Sequence, residues 1–324
     1  MLCYMDESII NIENKPLFSV MMASYNNAQY IENALKSVFA QSYTKWEIII
    51  VDDGSTDNSD EVYEKYKTEN RIKIFFNKKN EGVGFTKRKC IELAEGELCG
   101  FLDTDDLLTE NALEIMVNLH KVKPNCSLIY STFFIYQGEN DIKPAWDYIG
   151  KIDENEDLLI SSKNMVSHFA TFKKSFYLKT LGIDISLLSA EDKDLYLKLE
   201  EVGDLYYQNE PLYYYRVDNE NSVSRGSVEK VRIANYYLSL THLRAFKRRI
   251  TGNSSLYRKN KLLYLSYMYR NLKLYNENRK SLSLFFIFDY VFLYLKFSNY
   301  SIRSFINVIK LNKLVTKFLL FYSK

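Results

Sequence analysis

Phe101-Leu102-Asp103-Thr104-Asp105-Asp106-Leu107 carries three carboxylates within four positions, directly after the apolar run Leu98–Leu102. Aspartate is unfavourable inside strands and common where they stop. The stretch therefore reads as a buried strand that delivers Asp103, Asp105 and Asp106 to a loop at its carboxyl end. That edge is where open α/β sheets bind ligands. Three like charges this close repel one another unless a positive charge sits among them. A hard divalent cation with oxygen ligands, Mn²⁺ or Mg²⁺, would relieve the conflict. The competing reading is a helix start, with Asp105 and Asp106 capping a helix that begins near Thr109.

Working outward, the flanking sequence alternates strand and helix signals. Leu17–Ala23 is a short apolar run after Pro16, and Tyr30–Gln41 places Ile31, Leu35, Val38 and Phe39 at helical spacing. Trp46–Val51 contains the continuous run Ile48-Ile49-Ile50-Val51, as expected of a parallel strand covered on both faces. Asp52–Asp57 reads as the next turn, with Ser55 or Thr56 as a helix cap, and Asn58–Lys67 as the helix. Ile72–Phe76, a helix from Phe85 to Ala94, and Leu98–Leu102 continue the pattern. The spacing predicts a helix over Asn111–Lys123, stopped by Pro124, and a strand over Leu128–Tyr136. The alternation implies an α/β fold with a parallel, doubly wound sheet. Residues 137–165 are polar and irregular, a substrate loop or a plain surface loop. His168–Phe172, Glu191–Glu201 and Leu205–Arg216 resume order.

The composition, 47% hydrophobic and 26% charged, is that of a folding chain rather than a disordered one. Tyr (27) and Phe (20) are abundant, which suits sugar-stacking surfaces, interfaces or a membrane boundary. Cys3, Cys90, Cys99 and Cys126 form no CxxC pair, so free thiols in a reducing cytoplasm are expected. Asp6 and Glu7 precede no basic-then-apolar run, so no secretory signal is expected. No apolar run reaches the roughly 18 to 20 residues of a membrane span. The nearest, Leu282–Leu295, is shorter and holds Asp289.

In a parallel sheet the loops Ser24–Asn27, Asp52–Asp57, Asn80–Gly84 and Asp103–Asp106 share one edge and converge. Together they offer a tyrosine, glycines for close backbone approach and, in Asp52, Asp53, Asp103, Asp105 and Asp106, five carboxylates, a site for a metal-bound diphosphate carrying a base and ribose. Residues 17–224 resemble the family 2 glycosyltransferases, inverting enzymes of the GT-A fold that use nucleotide sugars. The resemblance rests on Ser19–Asn26, Glu47–Thr56 (EIIIVDDGST), Asn80-Glu81-Gly82 with Lys87-Arg88, Gly96-Glu97, Phe101–Leu107, Glu191-Asp192 and Tyr215-Arg216.

The resemblance implies roles for particular residues. Ala23, Ser24 and Tyr25 begin the nucleotide pocket, with Tyr25 stacking on the base. Asp53 binds base or ribose, while its neighbour Asp52 braces the loop. Arg88 pairs with the diphosphate. Asp103-Thr104-Asp105 is the DxD motif, with Asp105 on ribose or metal and Asp106 or Asp105 ligating Mn²⁺ or Mg²⁺. Asp192 is the general base that takes the acceptor proton, the alternative being an acidic first helical turn. His168 lines the acceptor site or packs as an ordinary core histidine. In Tyr215-Arg216-Val217-Asp218, Asp218 stands where relatives often have His, so that phosphate contact is lost or passes to Arg216 and Arg225. The implied activity is metal-dependent transfer from a nucleotide sugar, a UDP-sugar, to a glycan or lipid-linked glycan in surface-polysaccharide assembly. An inactive GT-A-like scaffold is the alternative, and retention of every carboxylate speaks against it. A nucleotidylyltransferase would want Gly, Arg and Lys after the first strand, where Ser24–Asn27 has none.

The charge divides sharply along the chain. Residues 1–229 hold 24 Lys and Arg against 39 Asp and Glu, net −15, whereas residues 230–324 hold 19 against 2, net +17. The break marks a boundary near 225–230; with the resemblance, it implies a GT-A transferase domain over 1–228 followed by a basic, aromatic helical region over 229–324. Tyr236, Tyr237, Leu240, Leu243 and Phe246 recur at helical spacing, with Arg244, Lys247, Arg248 and Arg249 on the other face. Such helices suit the surface of an anionic membrane, which would make a cytoplasmic enzyme peripheral at the inner face. Packing against the acidic half is the alternative. No RNA- or DNA-binding module is present, so no nucleic-acid partner is expected.

Overall fold

The structure is a computed structural model, and it describes residues 15–278 apart from 138–140, 146–148, 155, 162–165, 167, 220–226, 253 and several positions between 261 and 276. Strands β1 (Phe18–Ser24), β2 (Trp46–Asp52), β3 (Ile72–Phe76) and β4 (Leu98–Phe101) lie parallel in the order β3-β2-β1-β4. Helices α1 (Ala28–Phe39), α2 (Ser59–Glu64) and α3 (Val83–Leu93) connect them. Every residue of β2 is buried, as its continuous apolar run requires.

The second half is mixed. It runs β5 (Leu107–Leu108), α4 (Ala112–Val122), β6 (Cys126–Tyr136), β7 (Ile142–Pro144), β8 (Ala170–Lys173), α5 (Lys174–Tyr177), α6 (Glu191–Glu200) and β9 (Asp204–Arg216). Strand β8 inserts between β4 and β6, antiparallel to both. No helix lies among the described residues between β6 and β8, so no helical crossover there imposes the parallel direction. Strand β9 runs parallel to β6 and pairs antiparallel with β5 at its far end. The expectation of parallel strands thus holds for β3-β2-β1-β4 and again for the β6-β9 pair, while β8, β7 and β5 run antiparallel to their neighbours.

Two local expectations are corrected. Helix α4 starts after Asn111, with β5 between it and the acidic loop, so Asp105 and Asp106 cap no helix. Helix α2 starts after Asn58; Ser55 instead accepts the Asn26 amide. The C-terminal helix α7 (Val228–Thr251) is followed by α8 (Ser255–Lys259). The basic face of α7, expected at a membrane, is turned inward: Arg244 pairs with Asp184, Arg248 with Glu201, and Arg249 with Asp157, Glu200 and Glu201. Charge complementarity to the acidic half supplies nearer partners than a lipid surface. The basic residues from 279 onward lie outside the described residues. Among those described, no helix is long and apolar enough to cross a membrane. Cys90, Cys99 and Cys126 are free and buried; burial pushes the Cys90 and Cys99 thiols up to about 12.

Glu47 locks the sheet at its amino edge. Its carboxylate accepts from Ser19 at 2.6 Å, from Lys73 at 3.0 Å and from the Glu95 amide at 2.6 Å. Burial acts to raise its pKa, but these donors hold it below the ordinary 4.5. A depressed carboxylate contributes stability that is present above the unfolded value and lost as pH falls through the folded one. Glu47→Gln is therefore expected to lower stability at neutral pH. It should also reduce the further loss on acidification below about pH 4.5, as read from urea midpoints across pH.

Candidate active site

The four loops at the carboxyl edge of β1–β4 are bonded into one surface. The Asn26 amide donates to Ser55 Oγ at 2.9 Å and the Thr56 amide to Asn26 Oδ1 at 2.8 Å. Asn27 Nδ2 donates to Thr104 Oγ1 at 2.8 Å, and Asn27 Oδ1 is buried without a partner among the described residues. Asp52 accepts from the Ser55 amide at 2.7 Å and from the Tyr63 hydroxyl at 2.8 Å, the bracing role expected of it. Asp53 is 3% exposed and accepts from Asn77 Nδ2 at 2.7 Å and from the Glu81 and Gly82 amides at 2.9 Å. It thus organises the Asn80–Gly82 turn. Gly54, at φ +74°, completes the seam: a Cβ there would lie 2.8 Å from the Lys79 carbonyl carbon. Ser24 is buried, with its hydroxyl 2.9 Å from that of Tyr63 and donating to it, whereas Tyr25 is 44% exposed at the rim, open to a stacking ligand.

The acidic loop is held from behind by β9. The Tyr213 hydroxyl donates to Asp106 Oδ2 at 2.7 Å and accepts the Asp103 amide at 3.2 Å. The Arg216 amide donates to Asp106 Oδ1 at 2.7 Å, and its Nε donates to the Asp105 carbonyl at 2.9 Å. The Arg216 guanidinium sits 4.7 Å from the Tyr30 ring and 4.6 Å from the Tyr136 ring and pairs with Asp218 at 3.2 Å. It thus braces the loop; Arg225, the other residue expected to take over the phosphate contact, lies outside the described residues. Asp105 accepts from Asn219 Nδ2 at 2.6 Å. Burial, then the neighbouring carboxylates, raise the pKa of Asp106 well above the ordinary value, and burial with Asp103 raises that of Asp105.

Asp103, Asp106 and His168 each offer a ligand atom, and these atoms lie within 4.8 Å of one another. The expected pair was Asp105 and Asp106; His168, two residues before β8, joins the cluster in place of Asp105, whose carboxylate turns to Asn219. The His168 ring stacks on Tyr213 and Tyr215, with centroids 4.9 and 4.7 Å away, and burial keeps its pKa below 6.5. An imidazole and two carboxylates, with Asp105 and Asp106 raised by burial and by their acidic neighbours while Lys87 holds Asp103 below the ordinary value, fit a divalent cation.

Facing this loop is the first turn of α6. Lys87 Nζ donates to both oxygens of Asp192 at 2.9 Å, pairs with Glu191 at 3.0 Å and lies 3.7 Å from Asp103. Its side chain is buried, which alone would lower its pKa, but the charges of Asp103, Asp192 and Glu191 raise it well above the ordinary value. Lys87, quoted in the motif but given no role, is therefore the cation brought to the site. Arg88, the expected diphosphate partner, points elsewhere, to Glu92 at 3.1 Å and the Ile183 carbonyl at 3.3 Å. The signal for Lys87 was present: Gly84, Lys87 and Ile91 follow the i, i+3, i+7 spacing of the buried face of α3. For Tyr213, one of 27 tyrosines, no sequence signal distinguishes it.

A parallel half-sheet bearing acidic loops at its carboxyl edge, met by a carboxylate from a helix beyond the antiparallel strands, is the GT-A glycosyltransferase architecture. Solved structures agree on the fold. Residues 1–349 of TarS from S. aureus, solved with UDP, match with a TM-score of 0.55 at 17% identity, covering 79% of this chain and 80% of that one. The mannosyltransferase PcManGT from Pyrobaculum calidifontis, solved with GDP-Man and Mn²⁺, matches with a TM-score of 0.58 at 15% identity, covering 93% and 88%. The model of glycosyl transferase family 2 matches residues 19–181, and the chain belongs to that family. Among its relatives, the chondroitin synthase of Escherichia coli is 29% identical over 240 residues, 73% of this chain. The hyaluronan synthase of Pasteurella multocida is 28% identical over 225 residues, 68% of this chain. The chain spans 34% and 22% of the lengths of these two proteins.

Removing the Lys87 charge leaves buried Glu191 and its neighbours uncompensated. Lys87→Met is expected to cost roughly 3–5 kcal/mol of unfolding free energy, measured by urea denaturation. Adding Glu191→Gln should recover part of that loss, and a double-mutant cycle reads the coupling.

Proposed function

We propose that the protein transfers a sugar from a nucleoside diphosphate sugar, a UDP-sugar, to a hydroxyl of a glycan or lipid-linked glycan, with inversion, in polysaccharide assembly. The machinery is proposed to lie within residues 1–228. The observation that carries the proposal is the place of Lys87, 3.7 Å from Asp103 on the donor side and 2.9 Å from Asp192 on the other. Inversion in a single displacement requires a leaving-group site and a base facing each other, and one buried ammonium joins these two carboxylates. The names of the relatives, chondroitin synthase and hyaluronan synthase, support a polysaccharide product, and the UDP bound to TarS supports the nucleotide.

In this reading Tyr25 stacks on the base beside Ala23 and Ser24. Asp53 shapes the pocket wall by fixing Asn80–Gly82. Asp103, Asp106 and His168 would hold Mn²⁺ or Mg²⁺, with Asp105 beside them at the ribose. When bound, the ion supplies positive charge to the departing diphosphate. Asp192 takes the proton from the acceptor hydroxyl as its oxygen bonds to the sugar's anomeric carbon and the bond to the phosphate oxygen breaks. In the ligand-free geometry both Asp192 oxygens are engaged by Lys87. A diphosphate near Asp103 competes for that ammonium and frees the base.

A screen of nucleotide sugars for Mn²⁺-dependent donor hydrolysis tests the activity without an acceptor. Turnover of none of them, together with metal-independent UDP binding in calorimetry, would sink the reading and favour a scaffold. Asp192→Asn should lower transfer by roughly 10²- to 10⁴-fold while UDP binding persists; near-normal turnover would remove Asp192 as base. Asp103→Asn should weaken Mn²⁺-dependent UDP binding by at least about tenfold, as measured by calorimetry.

A further inference from the structure

We propose that Arg249 is a positioning residue for Asp192, acting from the C-terminal helix along the length of α6. The proposal rests on reading Asp192 as the base. Helix α6 has ten residues, with Glu191 and Asp192 in its first turn and Glu200 at its end. That is a rod of about 15 Å. A buried cation grips each end. At the start it is Lys87. At the finish it is Arg249, fully buried on α7.

The Arg249 contacts come from three directions. Nη2 lies 2.9 Å from Glu200 and donates to the Leu197 carbonyl at 3.0 Å. Nε lies 3.2 Å from Glu201, which Arg248 also holds at 3.0 Å. Nη1 lies 3.2 Å from Asp157 and 3.1 Å from the Tyr264 hydroxyl, which in turn donates to Asp157. Asp157 accepts the Leu159 amide at 2.9 Å and the Ile160 amide at 3.2 Å, so a stretch of the irregular segment is tied to the same guanidinium.

A guanidinium is planar, with five donors in fixed directions. Binding a main-chain carbonyl and carboxylates from two segments at once sets the rotation and axial position of α6, not merely its nearness. Apolar side chains would hold two helices together at no desolvation cost. What the fork adds is orientation. Because a helix moves as a rod, a turn or slide at Glu200 reappears at Asp192. The Asp194–Lys198 pair at 2.5 Å, with Lys198 donating to the Gly182 carbonyl at 2.6 Å, ties the middle of the rod to the loop that precedes it.

Arg249→Lys in the full chain keeps the charge and removes the fork. It is expected to melt cooperatively and to bind UDP with Mn²⁺ as the unaltered protein does. Amides of residues 188–196 should exchange hydrogen at least roughly tenfold faster, those of 101–107 at unchanged rates, and transfer should fall roughly 10- to 100-fold in kcat. Should the lysine variant fail to fold, Arg249→Met with Asp157→Asn and Glu200→Gln leaves no uncompensated charge in the network and gives the same readout. Unchanged exchange at 188–196 in a folded variant overturns the proposal. So does an equal acceleration across the whole fold, which marks a role in stability alone. Exchange requires no turnover, so a wild-type protein without transferase activity would count against the proposed function and not against this assignment.

Discussion

A single buried ammonium, Lys87, is the contact on which the site depends. It lies against Asp103 from the acidic loop and Glu191 and Asp192 from the first turn of α6, more than 80 residues apart in sequence. Without it, buried Glu191 and the half-buried Asp103 and Asp192 would face one another uncompensated, and the loop after β4 and the start of α6 would repel. With it, they form one wall. The Lys87 position on α3 in turn follows from the packing of α3 over β1 and β2, whose buried apolar strands form the centre of the molecule.

The rest of the architecture presents that wall. Parallel β1–β4 place their following loops on one edge. Hydrogen bonds between Asn26 and Ser55, Asn27 and Thr104, and Asp53 and the Glu81 and Gly82 amides fuse those loops. The antiparallel β8 and the long β9 close the other side and bring in His168, Tyr213 and Arg216. Nearly every acid of the site has a partner that fixes it before any ligand arrives. Such preorganisation is what an electrostatic site requires.

Much of this was legible in the sequence because the signals are local. The run Ile48–Val51 marks a strand covered on both faces, and Asp103–Asp106 marks where a strand stops. What escaped depends on direction and distance. Whether Lys87 or Arg88 faces inward is a matter of helix rotation, readable only by setting Lys87 into the stripe of Gly84 and Ile91. That His168 and not Asp105 joins Asp106 depends on β8 being inserted antiparallel beside β4, a pairing between segments some 70 residues apart. The basic face of α7 looked like a membrane surface because sequence gives charge without partners. Asp157, Asp184, Glu200 and Glu201 answer it only once the chain has folded.

The tie between Asp53 and the Asn80–Gly82 turn bears on how such an enzyme diversifies. Two of its three bonds go to main-chain amides, so the path of the turn is set by backbone. The side chains of Lys78, Lys79, Asn80 and Glu81 are all exposed. Asn80 Oδ1 accepts the Gly82 amide at 3.1 Å and so helps shape the turn, whereas Lys78, Lys79 and Glu81 can be exchanged without moving the wall they decorate. Shape and chemistry are separately inherited at this rim, and a lineage can retune what the pocket prefers one side chain at a time while the frame stays still.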